Sequence, residues 1–275
     1  VTPLESFRQL VTAPGALPLL DCAAQVPLYA DPKFVPGEVV RTVRSWGERL
    51  AQRVPADSSA SNRLRLLNHF FFEELGFRAN AEQYYTPDNS HLHRVIEQRR
   101  GIPITLSLLY IKIGRAAGLR LFGVGFPGHF LVKLMLHDAA MLIDVFAGGL
   151  PLSEEDLRAR LQAVAQDGET LPLEVYLRPA SEREILARLL RNLKAIHWNA
   201  GEWAAAFEVQ QRLVAVLPDE PAERRDRGLL YARLECPRAA VEDLVAYLSM
   251  HPSPPDAMQI RERLGRLQQA ASQLN

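Results

Sequence analysis

Apolar residues recur at helical spacing through most of this chain. Val39, Val40, Val43, Trp46 and Leu50 share one face of a helix read over residues 39–54, and residues 4–11, 19–29 and 64–75 follow the same period. Residues 56–61 read as a loop, and Gly76 stops the helix before it. Asn89 and Ser90 are placed to cap a helix over residues 92–99, because a short side-chain oxygen there can accept a free backbone N–H. Pro103 suits the first turn of the next helix, where its missing N–H costs nothing, and that apolar helix runs to Ala117 and Gly118. The pattern then changes. Residues 119–126, 130–136 and 141–146 read as strands, with residues 137–140 as a hairpin turn. His129 thus heads one strand and Asp144 lies on its partner, where opposed positions bring side chains together. A charged helix over residues 153–165, capped by Ser153, and a loop around Gly168 and Pro172 complete this part.

From Ser181 onward only helices are read, and two segments echo one another. Ala206 and Ala240 are 34 residues apart, as are Pro218 and Pro252, which is the period of a tetratricopeptide helix pair with the proline closing the second helix. Barely two repeats bury too little surface to stand alone, so these helices are expected to dock on the domain that precedes them.

The chemistry-bearing words cluster between Arg99 and Phe146. They are Arg99-Arg100-Gly101-Ile102-Pro103-Ile104-Thr105-Leu106-Ser107-Leu108, then Gly118-Leu119, Gly125-Phe126-Pro127-Gly128-His129-Phe130 and Leu142-Ile143-Asp144-Val145-Phe146. This order resembles the transglutaminase-like superfamily, of papain-like fold. The surrounding words, Asn68-His69-Phe70-Phe71-Phe72-Glu73-Glu74-Leu75-Gly76-Phe77, Tyr84-Tyr85 and Asn89-Ser90, resemble its SirB-type bacterial branch, some members of which are associated by name with regulation of invasion genes. The resemblance implies a triad in which His129 and Asp144 are the second and third members. It puts the nucleophilic cysteine at or next to Pro103, and proline has no nucleophilic atom.

In a thiol triad the histidine takes the proton and the carboxylate orients the imidazole. Without a thiol, two readings of His129 and Asp144 stay open. They staple two strands as a satisfied buried pair, or they line a binding pocket kept from an active site, with Arg100, Gly128 and Tyr85 at its edge. Thr105 and Ser107 are the alternative nucleophiles, although Ser and Thr in an apolar helix usually bond the preceding turn. The glycines from Gly123 to Gly128 lack the Gly-Lys-Ser/Thr of a phosphate loop. His91 and His93 could share a metal only on a strand, since on a helix they diverge by about 200°.

Composition narrows this further. Charges balance at 32 against 32, which gives no general pull toward nucleic acid or anionic membrane. Only four of the 32 basic residues are lysines, so the many arginines reflect composition rather than phosphate sites. Cys22 and Cys236 sit in no metal-ligand spacing and read as two reduced thiols in apolar surroundings. No run of about 18 apolar residues and no signal segment is read, so a cytoplasmic location is expected. The expected fold is α+β: a papain/transglutaminase-like domain over residues 1–180, with a helical N-terminal portion and a small antiparallel sheet, followed by an all-α tetratricopeptide-like module over residues 181–275. The expected function is non-catalytic binding of a protein or peptide, with a regulatory role also in view and with no metal, cofactor, direct nucleic-acid contact or membrane. The alternative is a hydrolase or acyl transferase on amide or ester bonds.

Overall fold

A computed structural model describes residues 1–137, 139–164 and 171–273 of the chain. Asp138 of the expected hairpin turn, Ala165 of the charged helix and Gly168 of the loop lie outside the described residues.

The chain opens with α1 (Pro3–Thr12), fixed by a capping box in which the Thr2 hydroxyl accepts the Glu5 N–H at 3.2 Å and the Glu5 carboxylate accepts the Thr2 N–H at 2.8 Å. α2 (Leu19–Gln25) runs into a 3₁₀ turn, Val26–Tyr29. α3 (Pro36–Ala51) buries the stripe Val39, Val40, Val43, Trp46 and Leu50. α4 (Ala60–Asn68) starts on the Ser59 hydroxyl and continues as a π-helical turn, His69–Glu74. Then come β1 (Arg78–Ala79), a 3₁₀ turn at Pro87–Ser90, α5 (Leu92–Gln98), β2 (Arg100–Gly101) and α6 (Pro103–Ala116). Asn89 and Ser90 lie in that 3₁₀ turn, and His91 occupies the N-cap of α5 without a side-chain bond. The Asn89 amide instead ties the loop before it, donating to the carbonyls of Gln83 at 2.6 Å and Tyr84 at 3.0 Å.

Nearly every residue of α6 from Pro103 to Gly114 is buried, as its all-round apolar sequence requires. The helix lies against α3 on one side and against β3 (Leu121–Val124) and β4 (Leu131–Met135) on the other. β5 (Ala140–Asp144) and β6 (Leu150–Leu152) complete an antiparallel sheet in the order β3-β4-β5-β6, with Val132 opposite Ile143 and Leu142 opposite Leu152. A separate parallel ladder pairs β1 with β2 and sets Arg78 beside Arg100. Neither this ladder nor β6 was legible as a strand. α7 (Glu154–Val164) is capped by Ser153, whose hydroxyl accepts the Asp156 N–H at 3.1 Å, and α8 (Leu173–Tyr176) is one turn long. The fold is α+β.

α9 (Glu182–Asn199) leads to α10 (Trp203–Val216), α11 (Pro221–Arg233), α12 (Pro237–Met250) and α13 (Ala257–Gln273). α10 and α12 start 34 residues apart and end 34 apart, and Pro218 and Pro252 each stand two residues beyond the end of one of them.

The chain divides into two compact units. One holds Pro18–Gln25 and Lys33–Leu189, and the other holds Val1–Leu17, Val26–Pro32 and the chain from Leu190 on. This differs from the expected division at residue 180. Within the second unit α1 lies on α10, burying Phe7 and Val11 to 0% and 1% exposure. The Arg212 guanidinium of α10 stands over the rings of Phe7 and Tyr29, at 5.9 Å and 5.8 Å. The N-terminal helix thus supplies apolar surface that two repeats lack, a relation between distant segments that local patterning does not reveal.

Candidate functional site

His129 does not lie in a strand. It closes the turn between β3 and β4, with its N–H on the Phe126 carbonyl at 3.1 Å, and Gly128 before it has φ +67°. A side chain at Gly128 would be strained there and would meet Val164 Cγ1 at 3.1 Å. Arg188 of α9 holds the turn from behind: one Nη2 donates to the carbonyls of His129 at 2.7 Å and Phe126 at 3.1 Å. Its guanidinium also covers the Phe130 ring at 5.7 Å.

Asp144 ends β5. His129 therefore reaches it from beyond the β4–β5 ladder, and the two are not opposed strand positions. His129 Nε2 lies 2.9 Å from Asp144 Oδ1, which also accepts the Ala147 N–H at 3.1 Å. Arg160 Nη1 of α7 donates to the other oxygen, Oδ2, at 2.8 Å. Asp144 is 2% exposed, and burial by itself would raise its carboxyl. The hydrogen bond and charge of His129, the Arg160 guanidinium and the Ala147 amide outweigh burial and hold it below the usual carboxylate range. An ionised carboxylate only accepts, so Nε2 carries the proton and donates it to Asp144. The opposite ring nitrogen, Nδ1, has no hydrogen-bond partner among the described residues.

Pro103 is buried at the first position of α6. Thr105 and Ser107 are 0% exposed. Thr105 Oγ1 is turned back on the start of its own helix, accepting the Ile102 N–H at 3.2 Å and donating to the Ile102 carbonyl at 3.2 Å. Ser107 Oγ is buried without a hydrogen-bond partner among the described residues. No hydrogen bond joins either hydroxyl to His129 among the described residues. Burial pushes the Cys22 thiol up to about 12, whereas Cys236 is exposed, contrary to the expectation that both thiols sit in apolar surroundings. The rings of His91 and His93 do stack, at 5.9 Å, but no group of three or more His, Cys, Asp or Glu suited to a metal occurs among the described residues.

A cleft of about 550 Å³ opens beside the pair, lined by Phe72, Phe77 and Phe146, by Val145, and by Arg78 and Arg100. Phe146 connects the two, its ring edge-on to His129 at 6.1 Å. Tyr84 meets Phe146 at 6.2 Å, and Tyr85, 82% exposed, stands edge-on to Tyr84 at 5.0 Å. Of the residues singled out from sequence, His129, Asp144 and Gly128 come together directly. Arg100 lies in the adjoining cleft, and Tyr85 joins only through Tyr84 and Phe146. Arg160, Arg188 and Phe146 were missed. Arg160 sits on a charged helix with the look of solvated surface and Arg188 on an amphipathic one where an arginine marks no site, and Phe146 differed from its apolar neighbours only in standing two residues after Asp144.

A transglutaminase-like core with a paired histidine and aspartate, followed by helix pairs of period 34, defines the class. Residues 37–191 match the family model of the transglutaminase-like superfamily and residues 193–265 that of the tetratricopeptide repeat, and the chain belongs to the transglutaminase-like superfamily. A UPF0162 protein of Xylella fastidiosa is 36% identical over 252 residues, covering 90% of this chain and 89% of the relative. A UPF0162 protein of Pseudomonas aeruginosa is 33% identical over 90% of this chain and 94% of its own length, and Protein SirB1 of Salmonella typhimurium is 29% identical over 86% of each. Among solved structures, the crystal structure of menin, titled for its binding site for Mixed Lineage Leukemia protein, superposes with a TM-score of 0.43 at 12% identity over 90% of this chain and 69% of that one. So loose an overlap carries no argument. Tetratricopeptide repeats suit protein–protein interaction, and among the described residues no helix is long and apolar enough to cross a membrane.

Proposed function

We propose that the protein is a non-catalytic member of its superfamily that captures a protein or peptide in the cleft beside His129 and Asp144. One observation carries this reading: Phe146 joins the His129 ring to an open aromatic cleft, while Pro103, at or next to the position the resemblance gives the nucleophile, is buried. In this reading the imidazole, held by Asp144, presents Nδ1 as a fixed polar contact rather than as a base. A regulatory role would be exerted through the captured partner, since the balanced charge offers little attraction to DNA. Two free thiols, one of them exposed, fit a reducing compartment such as the cytoplasm. The hydrolase or acyl-transferase alternative must draw its nucleophile from Thr105 or Ser107, both fully buried.

The test is a photo-crosslinking amino acid at Tyr85, 82% exposed, and separately at Met258, 73% exposed, in the full chain. Capture at Tyr85 that His129→Ala weakens, with the partner's mass unchanged, supports the reading. Capture at Met258 alone moves the contact to the repeat helices. A partner recovered cleaved or acylated revives the enzyme.

A further inference from the structure

The β1–β2 ladder brings two cations together that sequence keeps 22 positions apart. The Arg78 N–H donates to the Arg99 carbonyl at 2.8 Å and the Asn80 N–H to the Gly101 carbonyl at 2.9 Å, which locks Arg78 beside Arg100. Both side chains are exposed and both line the cleft. Like charges side by side on a ladder repel unless something neutralises them. Several arginines of this unit have acids: Arg94 lies 2.8 Å from Glu97, Arg53 2.6 Å from Glu74 and Arg160 2.8 Å from Asp144. Here none does. Arg78 Nη1 donates only to the carbonyls of Phe72 and Phe77, and Arg100 makes no hydrogen bond or ion pair among the described residues. Two guanidinia with unused donors therefore edge a wall made of Phe72, Phe77 and Phe146.

We infer that this cleft takes an acidic peptide segment, one carboxylate bridging Arg78 and Arg100 and a neighbouring apolar side chain lying on the half-buried rings of Phe72 and Phe146. The inference rests on the reading of the cleft as a peptide site and adds the chemistry of the peptide. Guanidinium forks match carboxylate geometry and give up less hydration than an ammonium would. A nucleic-acid strand needs a track of cations along its backbone, and the cleft has two in about 550 Å³, room for a few side chains.

The experiment titrates the full chain into two fluorescein-labelled hexapeptide pools, one with Asp or Glu beside Phe or Leu, the other with Asn or Gln in place of the acids. The acidic pool should bind about tenfold more tightly, and the preference should shrink as salt rises from low to high ionic strength. Arg100→Glu should abolish the preference without lowering the melting temperature, because Arg100 holds nothing in the fold. Arg78→Gln gives a second reading of the same charge. Equal binding of both pools, or an unchanged preference in Arg100→Glu, overturns the inference, as does tight binding of inorganic phosphate or single-stranded RNA with no binding of either pool. Capture at Tyr85 that persists when the acidic pool fails removes the carboxylate and leaves the peptide site standing. Loss of both removes both.

Discussion

Arg160 binds the one oxygen of Asp144 that His129 leaves free, at 2.8 Å against 2.9 Å. The carboxylate is thus fixed at both oxygens, and the imidazole bonded to it is held with it. Removing the guanidinium strands one buried oxygen. Arg160→Ala should therefore cost about 1–3 kcal/mol, read as a lower urea midpoint, and an unchanged midpoint would mean that water replaces the arginine.

The same carboxylate sets a pH dependence. Its folded value is held below the ordinary one, so its contribution to stability is full above the unfolded value of about 3.9 and is lost as pH falls through the lower folded value. Wild type should lose more stability than Asp144→Asn on going from pH 5 toward pH 2.5, as checked by denaturant melts at each pH. Parallel curves for the two proteins would assign the acid sensitivity elsewhere.

His129→Ala separates strut from contact. If the ring only staples the β3–β4 turn to Asp144, the variant loses about 1–3 kcal/mol of stability and keeps its partner. The proposed function expects the reverse weighting: a stably folded variant whose crosslinked partner at Tyr85 is largely lost.

The thiols should behave as two classes. Cys236 is exposed and should react with iodoacetamide at neutral pH, whereas Cys22, 0% exposed and with its thiol pushed up to about 12, should react only on unfolding. Peptide mapping after timed labelling reads this directly, and partner capture should survive labelling of Cys236. Fast labelling of Cys22 would show that α2 opens readily.

Phe7 should matter to a helix that begins nearly 200 residues later. It is 0% exposed where α1 lies on α10, so Phe7→Ala should cost about 3–5 kcal/mol and raise hydrogen exchange in α10. A fragment starting at Leu190 should lack a cooperative thermal transition. A sharp melt for that fragment would show that the repeats need no N-terminal helix.

Local pattern carried much of the fold. The apolar run after Pro103 specified a buried helix, the runs around His129 and Asp144 specified two strands of one sheet, and the 34-residue echo specified paired helices, because each signal lies within one element or one fixed period. The words from Gly125 to His129 and from Leu142 to Asp144 were enough to name the pair at the centre of the site. Tertiary structure decided what surrounds that pair. Arg160 and Arg188 reach it from one charged and one amphipathic helix, and no spacing rule links them to residues 16 and 59 positions earlier. The two-residue strands that set Arg78 beside Arg100 are too short to show any periodicity. The place of α1 on α10 follows from apolar surface that the repeats leave uncovered, a deficit visible only once the helices are packed.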